Sequence, residues 1–276
     1  MHLGHRALLA SLAERARRER ARAVAATFQP LPIQVVAPGA PASALSDVSE
    51  RVRLLREAGA EEVVVFRFDE KFSQLSAEEF IDRVRGAGDV RRLVVGPDFH
   101  FGHRARGDVQ MLRERAGRDG FAVDVVEPLT LDGAIVSSTR VRNLLLGGDV
   151  NGAARLLGRP YAMRGRVRHG ARRGRALGYP TIEVELPRER LLPRDGIYAV
   201  WADLGEARFK AAASLGVRGS ARILEAHLLD VAGDVETDDV EIAFMKRLRD
   251  EIAFASPEEL AARIAEDVEE TKRALR

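Results

Sequence analysis

Between residues 6 and 126, amphipathic helical stretches alternate with short, mostly apolar runs, and this alternation constrains the fold more than any other feature of the 276-residue chain. A helical period reads over 6–22, 47–58, 76–85 and 108–116, and strand-length runs lie at 23–28, 62–66, 93–95 and 121–126. Strands that read as near-continuous apolar runs, rather than as alternating ones, belong to a parallel sheet covered by helices on both faces. Ser76 followed by Glu79 has the spacing of a capping box and marks one helix start. In such α/β folds a nucleotide sits at the carboxyl ends of the strands, where helix N-termini point at it.

After Gly158-Arg159-Pro160 the pattern changes. The segments become short and β-like, at 184–186, 197–201, 222–229 and 240–244, with turn residues between them. That spacing predicts a small antiparallel barrel. Ser256-Pro257-Glu258-Glu259 then opens a final helix to about residue 272, with proline at the first helical position. The reading therefore divides the chain into domains at 1–159 and 160–276.

Composition narrows the chemistry. Hydrophobic residues make up 46% and charged residues 31%, the mixture of a folded globular protein. There is no cysteine, which excludes disulfides, thiolate metal sites and cysteine nucleophiles. No apolar run approaches the length of a membrane span and the N-terminus lacks a signal peptide, so no membrane partner and a cytoplasmic location are expected. The formal charge is +2, with acids and bases interspersed along most of the chain. One cluster stands apart, Arg164, Arg166, Arg168, Arg172, Arg173 and Arg175, interleaved with Gly165, Gly170 and Gly174. Without interleaved aromatics it points to a phosphate site rather than to a nucleic-acid partner.

Two short motifs carry chemistry in the first half. Met1-His2-Leu3-Gly4-His5 lies directly before the first helix. A glycine there lets a triphosphate approach the backbone, the helix end is electropositive, and imidazoles can donate to phosphate oxygens. Val136-Ser137-Ser138-Thr139-Arg140-Val141-Arg142 lies where a strand gives way to a helix. Its hydroxyls would cap backbone N–H groups, and with Arg142 one turn along they would also grip a leaving pyrophosphate.

Together the two motifs resemble those of the HxGH nucleotidyltransferases. Further blocks narrow the resemblance: Thr27-Phe28-Gln29-Pro30-Leu31-Pro32, Phe68-Asp69-Glu70-Lys71-Phe72, Val95 to Gly102, and Ala154 to Tyr161. In order and over the whole chain from residue 2, they look like bacterial bifunctional riboflavin kinase/FMN adenylyltransferase (FAD synthetase). The resemblance implies an α/β fold, with a Rossmann-like HxGH nucleotidyltransferase domain followed by a small antiparallel riboflavin-kinase-like β-barrel and a C-terminal helix. It implies small-molecule partners: ATP and FMN as substrates, giving FAD and pyrophosphate, with Mg²⁺. His2 and His5 would act on phosphate oxygens beside Gly4, and Ser138, Thr139 and Arg142 at the pyrophosphate. Phe28, Pro30, Asp98 and Phe99 would shape the flavin site, although core packing alone accounts for either phenylalanine taken singly.

In the second half, Gly174-Arg175-Ala176-Leu177-Gly178-Tyr179-Pro180-Thr181 resembles the kinase's phosphate-binding loop. The resemblance implies that Gly174, Arg175 and Gly178 wrap phosphates and that Thr181 ligates Mg²⁺, with Glu183 beside it. Glu225 matches the base that deprotonates riboflavin. The chain also departs from the family. Leu31 stands where histidine is usual, Glu183 replaces an amide, Ser214 to Ala221 diverge, and a Tyr-Gly pair is absent around 234–239. Glu183 adds negative charge beside a triphosphate, so the expectation is FMN adenylylation with weak or absent riboflavin phosphorylation. The family's histidine block is entered part-way, so Met1 is expected to be an internal methionine in place of a valine, in a polypeptide starting upstream. A non-catalytic flavin-binding regulatory homologue is the alternative reading.

Overall fold

The computed structural model describes residues 1–41, 43–168, 181–218, 221–231 and 237–276. The chain divides into two compact units, Met1–Ser137 and Ser138–Arg276.

The first unit begins with α1 (Leu3–Glu19), followed by β1 (Val24–Gln29), α2 (Pro32–Val36), α3 (Val48–Glu57) and β2 (Glu62–Arg67). Then come α4 (Glu70–Ser73), α5 (Ala77–Arg85), β3 (Arg92–Val95), α6 (Val109–Asp119), β4 (Ala122–Val125) and a two-residue hairpin pair, β5 (Thr130–Leu131) and β6 (Ala134–Ile135). The helix starts are set by side chains that accept from the third residue on: Asp47, Asp69, Ser76 and Asp108 each cap a backbone N–H in this way. The capping box predicted at Ser76 and Glu79 is reciprocal, at 3.1 and 2.7 Å.

The sheet expected from the alternation is parallel, and among the described residues it consists of two pairs. β1 pairs with β2 from Val24↔Glu62 to Gln29↔Arg67, and β3 with β4 from Arg92↔Ala122 to Val95↔Val125. One core cluster gathers Ile81, Val95, Phe101, Leu112 and Phe121, and a second gathers Leu9, Ala25 and Ala60.

The second unit opens with α7 (Ser138–Leu146) and α8 (Val150–Leu157), ahead of the residue at which the sequence pattern changes. Both helices pack within it: α8 lies against the barrel, and the Arg194 N–H donates to Leu145 O at 2.9 Å. The barrel strands are β7 (Tyr161–Arg168), β8 (Thr181–Glu185), β9 (Gly196–Leu204), β10 (Ala207–Arg218), β11 (Ala221–Leu228) and β12 (Asp239–Arg249). They close in the order β10-β11-β8-β7-β12-β9, every pair antiparallel, so that no edge is left open.

Inward residues Tyr161, Tyr198, Leu215, Leu224, Ile242 and Phe244 are wholly buried. At Gly165 a Cβ would fall 2.5 Å from Val184 Cγ1 and 2.6 Å from Glu185 O, so a side chain there would collide with the neighbouring strand. The last helix, α9 (Pro257–Ala274), is capped by Ser256 and tied to the barrel by Arg249, which holds the buried Asp267 with two bonds of 2.8 and 2.6 Å.

Candidate active site

The histidine motif folds into a mutual cap. His2 occupies the N-cap of α1, and its Nδ1 accepts the His5 N–H while His5 Nδ1 accepts the His2 N–H, both at 3.4 Å. A backbone amide always supplies the proton, so each Nδ1 is unprotonated and each neutral ring carries its hydrogen on Nε2. The rings stack at 3.8 Å between centroids. Burial of the imidazole, and secondarily the positive chain terminus, lower the His5 pKa to about 4, although the residue as a whole is exposed. The result is a pair of oriented Nε2–H donors at an electropositive helix end.

Gly4 is placed where a side chain would not fit easily. A Cβ there would lie 3.1 Å from two atoms of the His2 ring and 3.2 Å from Val136 O. That contact brings the end of the β5–β6 hairpin against the histidine motif. From Val136 the chain runs on into Ser138 and Thr139, the first residues of α7, with Arg142 one turn later. Arg142 is half-buried, and burial lowers its pKa against an opposing effect of Tyr161.

The four residues assigned to a flavin all lie in the first unit. Phe28 is the penultimate residue of β1, where its ring meets Phe66, Phe68 and Phe72 at 5.4–6.2 Å. From Phe72 the ring contacts continue through Phe80 and Phe101 to Phe99. Phe28 and Phe99 are therefore joined by one aromatic band rather than packed separately. Arg51 braces the approach to Pro30, donating to Phe28 O at 2.9 Å and Gln29 Oε1 at 3.1 Å. Asp98 lies in the turn before Phe99, where its carbonyl meets His100 Nδ1 at 2.8 Å. Sequence reasoning placed Phe68, Phe72 and Phe101 in blocks of the resemblance without assigning them to the flavin site, and it missed Phe66, Phe80 and Arg51; the run of phenylalanines at 66, 68, 72 and 80 was the available signal.

On the barrel, Thr181 and Glu183 stand on β8 and Glu225 on β11. Glu225 is the register partner of Glu183 on one side and of Ser214 on the other. Ile182, Val184, Leu224 and Ala226 point into the core, so the three predicted residues share the outer face. Arg168 Nη1 lies 3.2 Å from Glu183 Oε1. Ser214 Oγ donates to Glu251 Oε1 at 2.9 Å, and Thr181 Oγ1 lies 2.7 Å from His227 Nδ1. None of these three partnerships was expected from the sequence. Gly174, Arg175 and Gly178 lie outside the described residues.

A cleft of about 960 Å³ opens near the far end of β8 from Thr181; it is lined by Arg164, Gly165 and Arg166 of the arginine–glycine cluster but by none of the residues assigned to catalysis, nucleotide, flavin or metal. Arg164 there pairs with Glu241 at 2.8 Å and Arg208 with Asp203 at 2.6 Å.

Comparison with known proteins agrees with this division of labour. The FAD synthetase family model matches residues 1–140, and the riboflavin kinase family model matches residues 157–275. A bifunctional riboflavin kinase/FMN adenylyltransferase from Pseudomonas fluorescens is 40% identical over 97% of this chain and 88% of its own length. The protein of the same description from Escherichia coli K12 is 37% identical over 97% and 87%. A crystal structure described as a macrolide-efflux protein from Streptococcus pneumoniae superposes with a TM-score of 0.89 and 30% identity, over 98% of this chain and 90% of that one. Among the described residues, no helix is long and apolar enough to cross a membrane. The chain belongs to the bifunctional riboflavin kinase/FMN adenylyltransferase family.

Proposed function

We propose that the chain makes FAD in two steps, phosphorylating riboflavin to FMN on its barrel and transferring an adenylyl group from ATP to FMN with its parallel-sheet half. Residues 1–159 and 160–276 are the corresponding functional domains. The observation that carries the adenylyl transfer is the mutual His2–His5 cap, because it fixes two Nε2–H donors at a helix N-terminus.

The phosphate of FMN is already an anion, so it needs no general base. One of its oxygens attacks the α-phosphorus of ATP, and the bond from that phosphorus to the bridging oxygen of pyrophosphate breaks. His2 and His5 donate to α-phosphate oxygens as charge builds, and Gly4 leaves room for the triphosphate. Ser138, Thr139 and Arg142 hold the departing pyrophosphate. Phe28, Pro30, Asp98 and Phe99 shape the flavin site, where the aromatic band offers the ring system a face to stack on.

In the kinase step, Glu225 takes the proton of the terminal riboflavin hydroxyl, whose oxygen attacks the γ-phosphorus as ADP leaves. Gly174, Arg175 and Gly178 are assigned to the phosphates, and Thr181 and Glu183 to Mg²⁺. When bound, Mg²⁺ neutralises phosphate charge during transfer. The residues suit it, since Mg²⁺ takes one or two protein oxygens plus substrate phosphates and water. The charge objection to this kinase also weakens, because Glu183 has Arg168 as a counter-ion.

Incubation with ATP, Mg²⁺ and either riboflavin or FMN, followed by separation of the flavins, tests both steps. FMN should give FAD, and riboflavin should give FMN and then FAD. FAD from FMN alone would remove the kinase step. No flavin product from either substrate would leave a non-catalytic flavin-binding homologue.

A further inference from the structure

We infer that Arg51 is a substrate-binding residue of the adenylylation site, holding the phosphate of FMN and so telling FMN from riboflavin there. The inference rests on the adenylylation reading above. Among the described residues of Met1–Ser137, the half-buried arginines are Arg15, Arg51, Arg85, Arg92 and Arg115. All but Arg51 are ion-paired: Arg15 with Asp124, Arg85 with Asp119, Arg92 with Glu19 and Asp124, and Arg115 with Asp82 and Asp119. Arg51 bonds instead to two neutral oxygens at the end of β1. Its Nη2 donates to Phe28 O at 2.9 Å and to Gln29 Oε1 at 3.1 Å, Nη1 donates to no protein group, and Nε is buried without a partner. Burial lowers the Arg51 pKa, and Asp47 at the N-cap of α3 opposes that shift. Asp47 Oδ1 is engaged by the helix start, accepting from Glu50 N at 2.7 Å and from Ser49 Oγ at 2.6 Å.

A guanidinium that gives up part of its hydration without gaining an ion pair is held at a cost in the free protein. An arriving anion removes that cost, and the planar fork of arginine matches the oxygens of a phosphate. The bonds to Phe28 and Gln29 orient the group without neutralising it. They also place it at the carboxyl end of a parallel strand, where α/β folds bind their ligands. The reaction supplies the anion. Adenylyl transfer brings the phosphate of FMN against the triphosphate of ATP, and His2, His5, Ser138, Thr139 and Arg142 are all assigned to the ATP side. The FMN phosphate therefore has no assigned cation to offset the repulsion between the two substrates. Arg51 is bonded to the carbonyl of Phe28, whose ring begins the aromatic band given to the flavin. Ring and phosphate of one substrate are thus met from a single strand end.

Initial rates of FAD formation by the whole chain, with FMN and ATP varied in turn, test the assignment. Arg51→Ala should raise KM for FMN about 10–100-fold, the effect of losing a charged hydrogen-bond donor, and change kcat and KM for ATP by no more than about twofold. Arg51→Lys keeps a cation and should recover most of that loss. Arg51→Gln keeps a donor for Phe28 O without the charge and should not. In proton–nitrogen spectra of the unaltered protein without ATP, the Arg51 Nε–H signal should move on adding FMN and stay in place on adding riboflavin. That measurement stands even if a variant fails to fold. An unchanged KM for FMN, a matching rise in KM for ATP, rescue by glutamine equal to that by lysine, or the same signal shift with both flavins would each overturn the role of Arg51 alone. If the unaltered chain made no FAD from FMN, the adenylylation reading would fall, and this inference with it.

Discussion

In the barrel, β12 bonds to β7 on one side and β9 on the other, and its Ile242 and Phe244 are wholly buried. In the parallel half, β2 bonds among the described residues to β1 alone, and Val65 near its centre is 41% exposed. Closure gives every barrel strand two hydrogen-bonded neighbours and one shared core. The parallel pairs depend instead on the helices laid over them, and their apolar contacts fall into separate clusters. The chemistry follows the same divide. The first half holds its assigned groups at helix starts and strand ends, whereas the described groups assigned to the kinase, Thr181, Glu183 and Glu225, stand on barrel strands.

The comparison can be broken most sharply at His5. His5→Ala should lower FAD formation from FMN by roughly 10²–10³-fold, the usual loss of one preorganised donor, while leaving phosphorylation of riboflavin intact. Equal loss of both activities would show that the halves do not work independently. Stability should divide the halves as well. Leu224→Ala, at a fully buried barrel position, should cost about 2–5 kcal/mol in denaturant unfolding. Val64→Ala, on the half-buried β2, should cost only about 1 kcal/mol. Similar costs would mean that closure confers no special cohesion.

Smaller effects refine the picture. Gly165→Ala should destabilise the barrel by about 1–3 kcal/mol, because the new methyl meets the backbone of β8. Ser76→Ala should remove about 1 kcal/mol from the first half through its lost cap, visible as a lower midpoint for that unit. A different kind of effect is in pH. His5 has a folded pKa lowered to about 4 against 6.5, so its contribution to stability is present above about pH 6.5 and is lost as pH falls toward 4. A proton NMR titration of His5 should accordingly show no inflection near 6.5. An ordinary midpoint there would mean that the exposure of His5 outweighs the burial of its ring.

Most of the architecture was legible in the chain because its signals are local. The alternation of periods located α1, α3, α5 and α6 and the strands between them, and the Ser76–Glu79 spacing fixed a boundary to the residue. β10 was not legible. Its Ala211-Ala212-Ala213 carries little strand preference, yet all three are buried, since β10 lies between β9 and β11 with α9 packed against it. Small side chains fit a strand covered on both faces, and no local rule anticipates that cover. The start of α1 also shifted, from Arg6 to Leu3, because histidine seldom caps a helix and here two histidines cap each other.

The sequence by itself determined the order of elements, the change of architecture near residue 160 and the residue types available for phosphate chemistry. Periodicity, capping residues and glycine-rich motifs all act within a few positions of one another. Only the tertiary structure decided which of those residues meet. Arg168 and Glu183 are 15 positions apart, Ser214 and Glu251 are 37 apart, and Thr181 and His227 are 46 apart. Barrel closure joins the last of these pairs, because register fixes which residues of β8 and β11 stand opposite one another. In the first half, Phe28 and Phe99 are linked by packing rather than by spacing, through the helix-borne Phe72 and Phe80 and through Phe101.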